Sequence, residues 1–475
     1  MAEKSVSLEQ ILGGLPPVWG EDLLPVIRAE IEREKLSLVA LCDEPAVTQT
    51  LHDVGVLTRW DAPTVVQELS RQVSLFAVLS DSGGRTDEQA VKIVRQIGAN
   101  ILRAARPINQ DFEVISCGGQ ALSSRIPGEL SALAEALELK DAVTVIIPFC
   151  RESGTYAVGD VLYRSQSAQL TSARADPSAG QAACDLRRWL KENGGSCWSA
   201  RRVESLTIHE IRTLGPDEVA GHLADCPPGG LCLVNAADHR DLEVVALAML
   251  KARRQGRRLL CRSAPSFLRV RAGLPVRPLL TAAEVAAPFA LAGLLLIGSC
   301  TARTAEQLCE LLDRTSVSAI ELRAERALSP RRRDREIVRI GRLANRAIYN
   351  GRDTVVYTTS KPIAAEDPES HRQITGLISQ ALVEVVRSVI YRPRYILAKG
   401  SSTSSDIATR ALNVTRAEVL GRILPGVPVW RTGPQSKFPG LSYITFPGNT
   451  GPVDGISRIV QDLKSDGETV RSGRG

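Results

Sequence analysis

Apolar runs and stretches of helical period alternate along most of the chain. Leu36–Cys42, Leu75–Leu79, Phe112–Ile115, Val143–Ile147, Leu231–Asn235 and Leu259–Cys261 are short and largely apolar. Runs that do not alternate with polar residues suit parallel strands covered on both faces. Between them, Ile27–Lys35, Asp87–Ala105, Pro127–Leu137 and Asp241–Arg254 read as helices. Strands alternating with helices predict an α/β fold. The rhythm resumes beyond Leu274–Pro288, an interval with three prolines and no clear period. There Leu294–Ser299, Thr354–Thr358 and Ile396–Ala398 read as strands, and Thr304–Leu312, Arg331–Tyr349 and His371–Tyr391 as helices. Ser329-Pro330 supplies an N-cap and first-turn pair for the second of these helices. The expectation is two domains, each a mostly parallel sheet flanked by helices, with a cleft between them. The first spans 1–275 and the second 289–465, and the polar residues 466–475 read as a flexible tail.

Length agrees, because 475 residues exceed what one ordinary core organises. A hydrophobic content of 44% with 24% charged residues is that of a folded chain. The net charge of +6 is mild at this length, and aromatic residues make up only 4%, so stacking platforms for bases are sparse. Nucleic acid is therefore not an expected partner. The cluster Arg331–Arg335 is interrupted by Asp334 and followed by Glu336, which reads as a solvated helix face. Ten cysteines include no C-x-x-C pair, and Cys42, Cys150 and Cys261 sit in or beside apolar runs. Buried reduced thiols of a cytoplasmic protein fit better than disulfides or zinc ligands. The five histidines show no metal-ligand spacing. The start of the chain lacks the charged-then-apolar pattern of a signal peptide. Apolar stretches such as Ala286–Ile297 are too short and too often broken by Gly or Pro to span a bilayer, so no membrane partner is expected.

Candidate chemistry enters with Tyr395–Asp406. A strand-like run breaks at Gly400 into Ser401, Ser402, Thr403 and Ser404, and Asp406 leads into another apolar segment. A strand, a tight turn of small residues and a helix start together point backbone N–H groups at an anion. An ordinary capped helix has the same signature. Two further stretches, Val419–Trp430 and Phe438–Gly451, decide between these readings. Lys399-Gly-Ser-Ser-Thr-Ser-Ser-Asp406 and Phe446-Pro-Gly-Asn-Thr-Gly451 resemble the nucleotide-binding domain of the four-carbon acid sugar kinase family. The family patterns there are approximately K-G-G-I-T-S-S-D and F-P-G-N-V-G. A family element G-S-x-x-x-x-T-x-x-Q-L is matched by Gly298, Ser299, Thr304, Gln307 and Leu308. Arg262-Ser-Ala-Pro-Ser-Phe-Leu268 resembles the family's R-T-A-A-S-F.

The resemblance implies ATP and Mg2+ as cofactors, and a small sugar acid such as threonate or erythronate as acceptor. It places Ser299, Gly400, Ser401, Ser402, Thr403, Gly448, Asn449 and Gly451 near the nucleotide. Asn449 either bonds a phosphate oxygen or caps a turn. Dimers are usual in such families, so a homodimer is a possible assembly.

The acceptor side departs from the family. Its D-D-D-P-T-G-T-Q turn stands here as Cys42-Asp-Glu-Pro-Ala-Val-Thr-Gln49. Asp43 and Glu44 remain to act as base or magnesium contact, or simply as a capped turn. The substrate-gripping S-R-S-D-S-T-L-R-G-H is replaced by Ser116-Cys-Gly-Gly-Gln-Ala-Leu-Ser-Ser-Arg125. Both motif arginines are gone, and Arg125 falls at the family histidine. The element G-G-R-x-T has become Ser153-Gly-Thr-Tyr-Ala157. Removing a charged anchor from a buried pocket typically costs about 2–5 kcal/mol. Two functions follow. One is an active small-molecule kinase with an altered acceptor. The other is a non-catalytic nucleotide- or metabolite-binding relative acting through a partner.

Overall fold

A computed structural model describes residues 6–83, 85–119, 122–166, 169–172, 184–286, 292–298, 301–358, 367–448 and 451–472. The surface loop expected at Ala173–Ala182 lies outside them. The chain divides into two compact units. Unit 1 is Met1–Asp43 with Arg59–Val276, and unit 2 is Glu44–Thr58 with Arg277–Gly475.

Among the described residues of unit 1, seven parallel strands form one sheet. Their order is Val203–Leu206, Leu231–Val234, Val143–Ile147, Leu259–Ser263, Phe112–Cys117, Ser37–Cys42 and Leu75–Leu79. Every residue of Ser37–Cys42, Leu75–Leu79 and Val143–Ile147 is buried, as their unbroken apolar character requires. The helix Asp87–Ala105 starts in a capping box: Thr86 accepts from the Gln89 N–H, and the Gln89 side chain accepts from the Thr86 N–H. Its Gly98 is packed so closely on Leu133 and Ala136 of the helix Ile126–Ala136 that an added Cβ would stand 3.0 Å from both side chains. A smaller antiparallel sheet joins Val6–Ser7, Thr155–Val158, Val161–Gln166, Gln169–Ser172 and Cys184–Asp185.

In unit 2, five described parallel strands lie in the order Ser442–Phe446, Ile396–Lys399, Leu294–Ile297, Thr354–Thr358 and Ser318–Leu322. Antiparallel strands Val427–Thr432, Arg416–Leu424 and Val54–Leu57 continue the sheet beyond Ser442–Phe446. The core packs Leu295, Leu397, Ile444 and Phe446 against Leu308, Leu311, Ile456, Ile459 and Leu463. Glu44–Thr58 joins this unit through Val54–Leu57 and through Trp430 Nε1, which donates to Thr48 Oγ1 at 2.9 Å.

Both sheets reverse direction in the same way. In unit 2 the chain lays Ser318–Leu322 and Thr354–Thr358 on one side of Leu294–Ile297. It then crosses to place Ile396–Lys399 and Ser442–Phe446 on the other. In unit 1, Leu75–Leu79 lies on one side of Ser37–Cys42 and Phe112–Cys117 on the other. Such a reversal opens a crevice at the carboxyl ends of the two strands that flank it, where ligands of open α/β sheets bind.

Two local expectations are corrected. Ser329 occupies the N-cap position of Pro330–Tyr349 but makes no side-chain cap bond. Glu336 is not on the solvated face: it is buried, and it accepts from Arg339, Arg326 and the Arg323 N–H. Arg331, Arg332, Asp334 and Arg335 are exposed, as expected of that face.

A fully buried carboxylate ties two helices of unit 1 together. Asp241 receives Arg212 at 2.7 and 3.0 Å and the backbone N–H groups of Ala237 and Asp238. Removing one member of such a pair strands the other charge in low dielectric. Asp241→Ala is expected to cost about 3–5 kcal/mol of stability. The double change Arg212→Met with Asp241→Leu should recover most of that loss. Urea midpoints measure both, and equal midpoints for the single and double variants would contradict the account.

Candidate functional site

The crevice of unit 2 is built from three loops that follow adjacent strands. Leu294–Ile297 ends at Gly298, Ile396–Lys399 at Gly400, and Ser442–Phe446 leads through Pro447 to Gly448. Gly400 has φ 104°, a conformation that strains any side chain. Its N–H donates to Phe446 O at 2.9 Å, which fastens the second loop to the third. Gly448 lies beside Gly400: an added Cβ would stand 3.6 Å from the Gly400 Cα, an ordinary van der Waals contact. An added Cβ on Gly298 would collide with Thr403 Oγ1. Gly451, at φ 89°, packs on the Phe446 ring. Crowding at Gly298 and positive φ at Gly400 and Gly451 thus favour glycine there.

The turn after Gly400 is held from beneath. Ser404 Oγ donates to Ala398 O at 2.9 Å, and Tyr443 donates its hydroxyl to Ser404 O at 2.6 Å. Thr403 is buried, whereas Ser401 and Ser402 are partly exposed on the first turn of Ser401–Asp406. Asp406 bonds Ser379 and pairs with Arg410 at 3.2 Å, so it anchors the turn to the helix Pro368–Ser388. The helix Ala302–Arg314 is capped by Thr301 and sends Thr304 Oγ1 to Gly448 O at 3.2 Å. Gln307 Nε2 reaches Pro452 O at 2.8 Å. Ser299 and Asn449, expected near the nucleotide, lie outside the described residues.

Sequence reasoning passed over Lys399, although it heads the motif. Its side chain is fully buried, its Nζ donates to Pro447 O and Gly448 O at 3.0 Å each, and it stands 4.7 Å above the Phe446 ring. Burial, with help from Arg303, depresses its pKa to about 8.

The crevice of unit 1 gathers charge instead. Asp43 follows Ser37–Cys42, its N–H donates to Cys117 O at 3.3 Å, and its Oδ1 accepts from the Gly119 N–H at 3.1 Å. Arg262 is buried in Leu259–Ser263 and donates to Ser116 Oγ at 3.0 Å. A Cβ on Gly118 would strike the Arg262 guanidinium and lie 2.6 Å from Asp43 Oδ2. Arg125 donates to Ser82 O at 2.9 Å and Gly83 O at 3.2 Å, and faces Glu129 at 3.7 Å. Burial raises the Asp43 carboxyl above its ordinary range, against the pull of Arg262, the Gly119 N–H and Arg125. Burial raises Glu129 as well, again opposed by Arg262 and Arg125. Glu44 takes the N-cap position of the turn Pro45–Thr50, with extended backbone.

The structure therefore brings Asp43 and Arg125 into one cluster. It adds Arg262 and Glu129, neither of which was singled out as a site residue. Arg262 was signalled by the Arg262-Ser-Ala-Pro-Ser-Phe element. Glu129, inside a helix, carried no signal. Among the described residues, no group of three His, Cys, Asp or Glu is arranged to hold a metal. A magnesium ion accompanying a polyphosphate needs only one or two carboxylates from the protein, so that observation is compatible with one.

The fold and these crevices define a two-unit α/β protein with a set of glycine-rich loops in unit 2. A family model for a nucleotide-binding C-terminal domain matches residues 294–456, and one for a sugar-binding N-terminal domain matches residues 45–271. The chain belongs to the four-carbon acid sugar kinase family. Two solved structures with TM-scores above 0.5 share the fold. A Salmonella typhimurium LT2 protein described as a proposed tRNA synthase has a TM-score of 0.65 at 14% identity, with 90% of this chain and 99% of that one covered. The Haemophilus influenzae protein HI1011 has a TM-score of 0.60 at 15% identity, with 90% and 100% covered. A Bordetella bronchiseptica protein, a domain-swapped dimer with bound citrate, matches with a TM-score of 0.35 at 16% identity, with 90% and 98% covered. Comparison with curated proteins found no match.

The Lys399 shift has a sign that can be checked. Its pKa is about 8 in the fold against 10.5 ordinarily, so the unfolded chain holds the proton more tightly. Stability then rises with pH between those values. Wild type is expected to gain on Lys399→Met from about pH 8 to 10.5 when melting temperatures are compared. A constant difference across that window would refute the burial of a strained ammonium.

Proposed function

We propose that the protein is an ATP-dependent kinase of small hydroxyl-bearing molecules, with an acceptor less anionic than the family's four-carbon acids. The observation that carries this reading is the unit 1 cluster. Two carboxylates, Asp43 and Glu129, face two guanidiniums, Arg262 and Arg125. Arg125 is already engaged by the Ser82 and Gly83 carbonyls, and Arg262 by Ser116. A cluster balanced in this way offers little net positive charge to a substrate carboxylate. In the family reading, arginines grip that group in fork geometry.

ATP supplies the phosphoryl group. Gly400, Ser401, Ser402, Thr403, Gly448 and Gly451 hold its phosphates, together with Ser299 and Asn449. Lys399 is a positioning residue that locks two of these loops in place. Asp43 accepts the proton of the acceptor hydroxyl. Its raised pKa brings it nearer to neutral pH, where a general base works best. Glu44 is the second acidic residue available to the magnesium that accompanies ATP. Positioning and electrostatics carry most of phosphoryl transfer, so these few groups suffice.

The closure of Asp43 by Gly119 and Arg262 also supports a second reading, a nucleotide-binding relative without transfer. One experiment separates the two. Phosphoryl transfer is screened over sugars, polyols and sugar acids, with ATP binding followed by calorimetry. The kinase reading expects turnover on an uncharged acceptor. It expects Asp43→Asn to lower turnover about 10²–10⁴-fold while ATP binding stays intact. The acid limb of the rate profile should fall above the ordinary aspartate range, because protonation removes the base. ATP binding without turnover on any acceptor would leave the second reading.

A further inference from the structure

A second site-like feature of unit 2 lies at the opposite end of its parallel sheet. A cavity of about 690 Å3 opens where Ser318–Leu322, Thr354–Thr358 and Ile396–Lys399 begin. The glycine loops follow the other ends of the strands, roughly 15 Å away at the usual rise per residue. The cavity's size falls in the range of small-molecule pockets, roughly 300–1,000 Å3. Nothing in the proposed phosphoryl transfer uses it.

Its lining is strongly cationic. Arg314, Arg352, Arg394 and Lys464 converge on it from four separate segments, with Asp353 as the acidic lining residue. Asp353 is turned to structural use, because its Oδ1 accepts from the Gly293 N–H at 2.6 Å. The basic groups are steered rather than loose. Arg314 pairs with Glu310 at 3.2 Å, Arg394 donates to Leu463 O at 3.1 Å, and Lys464 donates to Ser316 Oγ at 3.2 Å. Like charges held around a concave surface repel each other and focus a positive potential into it. An anion with more than one charge relieves that repulsion. The lining contains no aromatic ring on which a base would stack, which argues against nucleic acid.

We propose that this cavity is a binding site for a small multivalent oxyanion, carrying either phosphate groups or several carboxylates. The site is distinct from the nucleotide loops, and the proposal does not depend on the protein being a kinase.

Inorganic pyrophosphate and citrate are the probes, representing the two sources of that charge. Binding to the full chain is followed by calorimetry and by thermal shift in buffer free of other multivalent anions. The test variant is Arg352→Glu with Lys464→Glu, both exposed residues. At least one probe should bind wild type and raise its melting temperature. The double variant should weaken that probe at least 10-fold, yet melt no lower than wild type without probe, since repulsion has been removed. A control variant, Arg346→Glu on the exposed face of another helix, should bind as wild type does. The proposal is overturned if neither probe binds wild type, or if the double variant binds as tightly. It is equally overturned if Ser402→Asp, at the nucleotide loop, abolishes probe binding while the double variant keeps it. Preference for pyrophosphate would assign a phosphorylated ligand, and preference for citrate a polycarboxylate.

Discussion

Parallel strands bring all their carboxyl ends to one edge, and the loops that leave that edge must share the space above it. In unit 2 this crowding is the constraint on which the site depends. Gly298 lies against Thr403, Gly448 against Gly400 and Gly451 against Phe446. A methyl group on Gly298 would collide, and Gly400 and Gly451 have φ values that side chains adopt only with strain. Lys399 completes the arrangement from below by donating to two carbonyls of the neighbouring loop. Thr304 also donates to the Gly448 carbonyl, so that loop is held from two sides. The ammonium bears its own desolvation, seen in its lowered pKa, and the loops gain a fixed spacing in return.

Unit 1 meets the same topological edge with charge instead of crowding alone. Asp43 and Arg262 are so near Gly118 that only glycine fits there. Burial dominates the carboxyl groups of Asp43 and Glu129, raising both despite two guanidiniums. A buried cluster of this kind is interdependent, because removing one charge leaves another uncompensated. That interdependence bears on what the crevice would accept. When guanidiniums are committed to partners within the protein, a substrate carboxylate must displace those partners before it can bind.

Much of the fold was legible because buried parallel strands write unbroken apolar runs. Leu75–Leu79, Val143–Ile147 and Thr354–Thr358 appear at the boundaries their composition indicates. The antiparallel strands Arg416–Leu424 and Val427–Thr432 were legible only as motif sequence. Gly421, at φ 143°, sits at a register shift, and Pro428 interrupts the apolar run of the partner strand. The membership of Glu44–Thr58 in unit 2 could not be read at all. It rests on pairing with residues more than three hundred positions away, as between Val54 and Val419. The loop residues of the unit 2 crevice were visible as glycine and hydroxyl motifs. Lys399 was visible as a residue but not as a clamp, since its role lies in two backbone carbonyls of another strand's loop. Arg262 and Glu129 became site residues only when the sheet and an adjoining helix placed them beside Asp43.

Two helices run between the two ends of the unit 2 sheet. The helix Ala302–Arg314 begins beside the Gly298 loop and ends at Arg314 in the cavity wall. Thirteen helical residues span about 20 Å, enough to cross the sheet's edge from one end to the other. The helix Gly455–Ser472 likewise begins against the Phe446 ring and carries Gln461 and Lys464 to the cavity. Gln307 binds the segment between the third glycine loop and that second helix, through Pro452 O. A packed helix shifts as a body because interiors are close-packed and hold few voids to absorb strain. Arg314 and Lys464 therefore sit on the same two helices that frame the glycine loops.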